Sequence, residues 1–335
     1  MNSVNEAWNA ASSQVVPLTE VDGVEIISLM DNSVDFLSTN EREEVQNVTE
    51  WIKEHKGEQW VRKHFRRPLA EHGFSMLIRV FRDGKYAYVL FDTGASRDGV
   101  VTNAARMGLN FNEIECIVLS HGHHDHFGGL LPALKVINKD NLPIIVHEDM
   151  FKTRGVANPD GTVRKLSKFP AENQVVPARY IKTRQPYFIA ENMILVTGEI
   201  PRQTDFEKGF PQHRVFDGGK WRPDPWILDD RAVVINVRRK GLVVLSGCAH
   251  AGIINTILYA QQIVGVNDVH ALMGGFHLAG KESEQRISQT VEKLKLLNPK
   301  LLAPSHCTGW RGICAIAEAF SHNFVWNSVG NRYRL

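Results

Sequence analysis

The sequence predicts an α/β fold in which two mixed sheets pack face to face with helices on their outer sides. Two observations carry that expectation. Strand and helix patterns form two halves of similar content, each running from strands into helices, and paired sheets with outer helices bury both faces of such a set. Histidines at 121–126, 250 and 306 each follow a buried strand, so the chemistry is expected along one edge, where strand ends meet.

Taken in order, 24–30 is the first strand, ending at Asp31-Asn32. Residues 40–70 carry many charges on a helical spacing, with Trp51, Ile52, Trp60 and Val61 on the apolar side; one or two helices are inserted here between early strands. Strands at 74–82 and 86–91 join through Asp83-Gly84, and Asp92-Thr93-Gly94 closes the second. A helix near 100–107 leads to the apolar run Cys116-Ile117-Val118-Leu119-Ser120. A helix at 128–137 and a buried strand at 142–146 follow, then a mixed stretch at 156–186 and a strand at 193–197. Residues 201–229 are rich in Gly, Pro, Trp and Arg and have little periodicity. Regular alternation resumes after them, so they are expected to be an active-site loop rather than a linker. Strands at 232–237 and 242–246 pair across Lys240-Gly241. The pattern ends with a helix at 253–264, a strand at 269–273, a helix at 282–297, a strand at 300–303 and a helix after Gly309. Residues 1–335 are expected to form one domain.

Composition narrows the function. With 335 residues, 43% hydrophobic and 23% charged, the chain can bury a large core without disulfides. A net charge of +2 is too small to argue for nucleic acid or an anionic membrane surface. Residues 1–16 show no secretory signal, and no stretch is apolar enough to span a bilayer. Cys116, Cys248, Cys307 and Cys314 do not make a disulfide framework, so a reducing cytoplasm is the expected location. The expected partner is a small-molecule substrate.

The segment Ser120-His121-Gly122-His123-His124-Asp125-His126-Phe127-Gly128-Gly129 decides the class. His121 and His123, two apart in a non-helical turn, converge on one ion, and Asp125 and His126 reach a second. Nitrogen ligands plus a carboxylate, with positions left for water, make a catalytic zinc or iron site. Two ions about 3.5–4 Å apart stabilise both attacking and leaving oxygens. A chance histidine-rich loop would leave Asp125, the preceding strand and the two glycines without a reason. His124 is expected to point away. His250 is assigned to the ion of His121 and His123, and His306 to the ion of Asp125 and His126. The expected cofactor is Zn2+, two ions, with iron or manganese as alternatives. Asp125 and His126 are the expected catalytic residues, Asp125 both ligating and orienting the nucleophile. No phosphate loop or dinucleotide fingerprint competes.

The His-x-His-x-Asp-His pattern after an apolar strand resembles the signature of the metallo-β-lactamase superfamily. Asp31-Asn32, Glu71-His72-Gly73, Thr197-Gly198-Glu199-Ile200-Pro201-Arg202, Gly247-Cys248-Ala249-His250-Ala251-Gly252, Gly274-Gly275-Phe276-His277-Leu278 and His306-Cys307-Thr308-Gly309 extend the likeness. In that order they resemble the branch of 7,8-dihydropterin-6-methyl-4-(ribofuranosyl)aminobenzene-5′-phosphate synthases. The resemblance implies an αββα sandwich with metals at one sheet edge. The expected activity is hydrolysis of a phosphodiester, lactone, thioester, activated amide or halide-bearing aromatic carbon. The branch implies an alternative, transfer of a pterin methyl carbon to an aminobenzene ribose phosphate with release of diphosphate.

The resemblance also exposes a departure. Many superfamily members have a metal-bridging aspartate after a glycine where this chain has Gly247-Cys248. Cys248 is either a thiolate ligand, which would favour zinc, or a small buried residue. Without the carboxylate the second ion is expected to bind weakly. Asp92, in a segment common to the superfamily, is expected to support a ligand histidine from behind. Glu71 and His72 either face the site mouth or end a helix; His277 is a candidate substrate contact; His147 is expected to be structural; Glu199 either approaches the metals or serves as a cap or ion-pair partner. In the 201–229 segment, Arg214, Trp221 and Trp226 suit an aromatic, negatively charged substrate. The alternative is that the tryptophans pin the loop.

Overall fold

The computed structural model describes residues 17–335; the reading of residues 1–16 as free of a secretory signal lies outside the described residues. Eight strands form the first sheet, in the order Val45–Gln46, Arg332–Arg334, Gly23–Met30, Ser75–Arg82, Lys85–Phe91, Cys116–Val118, Pro143–Val146 and Arg179–Lys182. Six form the second: Tyr187–Ile189, Ile194–Val196, Ala232–Val237, Gly241–Ser246, Val269–Gly275 and Leu301–Ser305. Each sheet changes from antiparallel to parallel pairing at one strand, Lys85–Phe91 in the first and Gly241–Ser246 in the second.

Strand periodicity places the core. Val24, Ile26, Met76 and Ile78 from one sheet meet Val233, Ile235, Val243 and Leu245 from the other in the layer between them. Their neighbours point the opposite way, as a period of two requires. Ile27, Leu29 and Leu77 pack under the helices Val48–Lys56, Gly99–Arg106 and Leu130–Ile137. Val234, Leu242 and Val244 pack under Ile253–Val264, Ile287–Leu297 and Gly309–Ala319. Because both faces are covered, Ala232–Val237 and Gly241–Ser246 are buried along their whole length. The result is the four-layer αββα sandwich that the sequence predicts.

The charged stretch at 40–70 holds two helices, Val48–Lys56 and Glu58–His64. The first begins with a capping box: the Glu50 backbone N–H donates to Asn47 Oδ1 at 3.0 Å, and the Asn47 N–H donates to Glu50 Oε2 at 2.8 Å. Trp51 and Ile52 are buried, and Trp60 and Val61 pack against the same cluster.

Three features depart from the sequence reading. Arg332–Arg334 forms a strand beside Gly23–Met30, although two arginines in three residues give no strand signal. Arg332 is nonetheless buried, its guanidinium over the Trp51 ring and donating to Glu54 at 2.8 Å. The 201–229 segment carries a hairpin, His213–Asp217 with Lys220–Pro223. This hairpin joins Arg154–Ala157 and Val163–Lys165 in a third, four-stranded sheet. These strands are short and partly exposed, so they lack the alternation that marks a half-buried strand. Finally, the helix expected at 128–137 starts at Leu130, behind a separate single turn, His124–Phe127.

Among the described residues no helix is long and apolar enough to cross a membrane, and the four cysteines are unpaired. Lys85–Phe91, Cys116–Val118, Gly241–Ser246, Val269–Gly275 and Leu301–Ser305 deliver their following residues to one sheet edge. Open α/β sheets bind ligands outside the carboxyl ends of their strands.

Leu245 points into the layer between the sheets, one residue before the strand end that leads to Gly247 and Cys248. Leu245→Ala is expected to destabilise the fold by about 2–5 kcal/mol, read as a lower denaturant midpoint, while metal content per folded chain stays unchanged. A midpoint equal to the wild type would contradict this placement.

Candidate metal centre

Two donor sets lie side by side at that edge. In the first, His121 Nε2 is 3.0 Å from His123 Nδ1, and His250 Nε2 is 3.2 Å and 3.1 Å from the same two atoms. Tetrahedral Zn–N bonds of about 2.0–2.1 Å hold neighbouring donors about 3.3 Å apart, so this triangle fits one ion. Burial, and after it the neighbouring imidazoles, lowers the pKa of all three rings, His123 to about 3. They are therefore neutral at pH 7, with lone pairs free for a cation.

The second set is Asp125, His126, Cys248 and His306, whose donor atoms lie within 4.8 Å of one another. Asp125 Oδ2 is 3.2 Å from His306 Nε2, and Cys248 Sγ is 3.1 Å from His126 Nε2. Burial pushes the Asp125 carboxyl up, but His126 and His306 outweigh it and hold the group well below the usual carboxylate range. Cys248 also forms a third cluster with His250 and His277. Its sulfur thus stands between the two sets, facing histidine nitrogens. Nitrogen, sulfur and carboxylate together form a donor set suited to zinc.

Supporting bonds reach these side chains from behind. Asp92 is fully buried, with Oδ2 2.6 Å from His126 Nδ1 and accepting from Ser120 Oγ at 2.7 Å, while Oδ1 accepts from the Ser120 N–H at 2.7 Å. Ser120 Oγ in turn lies 2.9 Å from His121 Nδ1. One carboxylate therefore orients a histidine of each set. Gly247 is required beside it, since a Cβ there would lie 2.2 Å from Ser120 Oγ. His306 is held by Asp31, whose Oδ1 accepts from its backbone N–H at 2.8 Å, and by Asn32, which donates to its carbonyl at 3.0 Å.

The run Asp229-Asp230-Arg231 carries no sequence signal of a site, yet it anchors both sheets there. Asp229 Oδ2 accepts from the Gly122 N–H at 2.8 Å and from Arg154 Nη1 at 2.7 Å. That ties the third sheet to the histidine turn. Gly122 has no room for a Cβ, which would lie 2.9 Å from both Arg154 Nη1 and the Met150 backbone. Asp230, raised by burial to about 7, accepts from the Ala251 N–H at 2.8 Å and steadies the turn of His250. Arg231 donates to the Leu119 carbonyl at 2.9 Å.

The remaining candidates divide. His124 is exposed and points away. His72 Nε2 is 3.7 Å from Asp125 Oδ2 at the site mouth, whereas Glu71 accepts from the Ala95 and Ser96 N–H groups. His147 and Glu199 meet each other at 3.0 Å, and Glu199 also takes Arg184 at 2.9 Å, so Glu199 is an ion-pair partner. The His277 ring centroid is 4.2 Å from that of His250. Arg214, Trp221 and Trp226 do not come to the donor sets. Arg214 donates to the Pro211 and His213 carbonyls, Trp221 packs on Phe216, and Trp226 is exposed. The loop reaches the site instead through Phe210, 5.9 Å from the His277 ring, and His213, 5.2 Å from the His123 ring. His213 is fully buried, its Nδ1 2.9 Å from the Asp224 carbonyl and its Nε2 without a partner. A histidine in a Gly/Pro/Trp-rich segment was its only sequence signal.

Comparison with known proteins places these observations. The model of the metallo-β-lactamase superfamily matches residues 70–306. A 7,8-dihydropterin-6-methyl-4-(β-D-ribofuranosyl)-aminobenzene-5′-phosphate synthase of Methanocaldococcus jannaschii is 33% identical over 261 residues, 76% of this chain and 87% of the relative. An uncharacterized protein of the same archaeon is 30% identical over 275 residues, 79% of this chain and 94% of the relative. The crystal structure of a metal-dependent hydrolase of the β-lactamase superfamily superposes with a TM-score of 0.67 at 23% identity, covering 93% of this chain and 99% of that one. At that identity the likeness is one of fold.

The two sets should respond differently to pH. Burial pulls the His126 pKa down, but Asp92 and Asp125 outweigh it and raise it to about 9. At neutral pH this ring holds a proton that a metal must displace, and that competition weakens as pH rises. Each pH unit below about 9 is expected to cost the second set up to about ten-fold in affinity. The first set, already neutral, should change little between pH 6 and 8. Chelator-competition titrations of the wild type, His250→Ala and His306→Ala check this, each variant losing a different ion. Equal pH slopes for the two ions, or two ions retained in His306→Ala, would contradict it.

Proposed function

The chain belongs to the metallo-β-lactamase superfamily, and from that premise we propose a metal-dependent hydrolase acting on a small-molecule substrate. The observation that carries this reading is the pair of adjacent donor sets, His121/His123/His250 and Asp125/His126/Cys248/His306. We assign these residues as ligands of two ions, with zinc favoured by the mixture of imidazole, carboxylate and sulfur. When bound, such ions supply a nucleophile at neutral pH by acidifying water, and they polarise the bond under attack.

The protein's own share is orientation and exclusion of solvent. Asp92 and Ser120 hold the rings of His126 and His121. This spares the site reorganisation as charge develops during reaction. Asp125, kept ionised by His126 and His306, is an acceptor that can orient an attacking hydroxyl group through its free lone pairs. Phe210 lies beside His250, their ring centroids 6.4 Å apart and the rings 20° from parallel, and adds apolar surface next to the first set. No serine or cysteine nucleophile is needed, since bound ions would acidify the water that attacks.

One observation favours a second reading. The 33% identical relative is named a synthase, and the same donor sets would serve group transfer. In that case the methyl carbon of a pterin methyl diphosphate would bond to an aminobenzene ribose phosphate as its C–O bond to diphosphate breaks, and bound ions would stabilise the departing diphosphate instead of activating water. A cleft of about 930 Å³ beside His277 and Phe210 has room for either use, since small-molecule sites commonly occupy about 300–1,000 Å³.

Three measurements separate these outcomes. Elemental analysis of protein purified without added metal should find up to two ions per chain. His121→Ala and His123→Ala should each lose tight binding and lower turnover at least about 100-fold with the circular dichroism unchanged; full activity with unchanged metal content would sink the metal reading. A panel of phosphodiester, lactone and thioester substrates in 18O-water should place the label in product if the reaction is hydrolysis. Diphosphate release that needs both the pterin and the aminobenzene partner, with no label incorporated, would select transfer.

A further inference from the structure

The cleft beside the metal centre runs between residues 205–212 and 277–289, away from Arg214, Trp221 and Trp226. Arg286 stands on its wall. Its Nη2 donates to Ser283 Oγ at 2.8 Å and lies 3.5 Å from the His277 carbonyl. Its Nε is buried without a partner, and no carboxylate of the described residues forms an ion pair with it. Leaving a charged donor desolvated and unspent is costly, and an anion that completes its bonds removes the cost. Lys208 and Lys281 line the same cleft, both exposed and both without an ion-pair partner among the described residues. Of the carboxylates near Arg286, Glu207 is the largest opposite charge on it and is itself engaged by the Ile254 and Asn255 N–H groups, Glu282 accepts from Gln212 at 2.5 Å, and Asp205 is exposed.

We propose that Arg286, with Lys208 and Lys281, forms a subsite for a phosphate group on the substrate. Three cations whose nearby carboxylates are exposed or already hydrogen-bonded suit a dianion better than a carboxylate. Arg presents a planar fork to phosphate oxygens, and lysines add point charges from the rim. The subsite adjoins the donor sets through His277. Arg286 touches the His277 carbonyl, and the His277 ring lies 4.2 Å from that of His250. A phosphate held here thus leaves the rest of a small molecule facing the reaction centre, with Phe210 beside it. The proposal rests on the metal-centre reading only for where the reacting end lies; the binding of phosphate is independent of it.

The test is calorimetric titration of the full chain with inorganic phosphate at low ionic strength, metal-loaded and after removal of metal by chelation, with acetate as the comparison anion. Phosphate should bind both forms, and acetate at least about ten-fold more weakly. Arg286→Met should weaken phosphate binding about 10–100-fold with metal content unchanged, and Arg286→Lys should recover part of the loss. The double variant Lys208→Met/Lys281→Met should weaken it several-fold and flatten its salt dependence. Should Arg286→Met fail to fold, Arg286→Lys and the lysine pair carry the comparison. Phosphate binding that vanishes with the metals and ignores Arg286→Met would assign the anion to the ions and overturn the proposal. Acetate binding as tight as phosphate, or no anion binding in either form, would overturn it as well. A metal-independent reaction would overturn the proposed hydrolase and leave these titrations standing.

Discussion

Everything at the functional edge depends on satisfying one buried anion, the carboxylate of Asp92. Sealed from solvent, it accepts from the Ser120 N–H and hydroxyl and lies against His126 Nδ1. A charge in that position is tolerable only with such partners, and each partner belongs to the metal centre. The geometry costs something locally. Asp92 adopts φ of 58°, a left-handed conformation unusual for a residue with a Cβ, and Gly247 must stay bare beside it. The surrounding bonds hold that strained turn in place: the Thr93 N–H donates to the His126 carbonyl at 2.7 Å, locking the Asp92 turn to the histidine turn.

Around this point the two sheets are tied by polar residues rather than by apolar packing alone. Asp229, Asp230 and Arg231 precede a strand of the second sheet, yet they bond to Gly122, Ala251 and Leu119. The Arg154–Asp229 pair carries the third sheet into the same network. Its partners hold the Asp229 carboxyl well below the usual range: burial raises it, but Arg154 outweighs that. The hairpin that places His213 beside His123 is therefore coupled to the histidine turn by a buried, hydrogen-bonded ion pair, the kind whose disruption costs most.

The layers and the two donor sets were legible in sequence because each leaves a local mark. Inner and outer strand faces alternate with period two, and the ligand types cluster at strand ends: His121, His123, Asp125 and His126 within six residues, His250 and His306 each after an apolar run. What escaped was non-local. Asp229, Asp230 and Arg231 look like an ordinary charged turn until the fold brings Gly122 and Ala251 to them. Arg286 sits in a polar helical stretch whose spacing says nothing of the cleft it lines. The 201–229 segment meets the donor sets through Phe210 and His213, not through the Arg214, Trp221 and Trp226 that its composition brings forward. Aromatic and guanidinium groups that seemed suited to a ligand are occupied by the hairpin itself, as Trp221 on Phe216 and Arg214 on backbone carbonyls show. The C-terminal strand leaves no sequence mark because the partners that bury Arg332 and Tyr333, among them Trp51, Glu54 and the strand Gly23–Met30, lie far back in the chain.

The span between Asp31 and His306 sets an order of assembly. The N–H of His306 finds its acceptor 275 positions earlier in the chain, and Asn327 reaches back 299 positions to Ser28. Contacts so distant in sequence close late, because the entropy of a long loop must be met before they return anything. On the ribosome, His121, His123 and His250 have all emerged while His306 is still unmade. A growing chain thus holds His121, His123 and His250 while the second set has Asp125, His126 and Cys248 but still lacks His306, so the last side chain of the site arrives only when the strand Leu301–Ser305 completes its sheet.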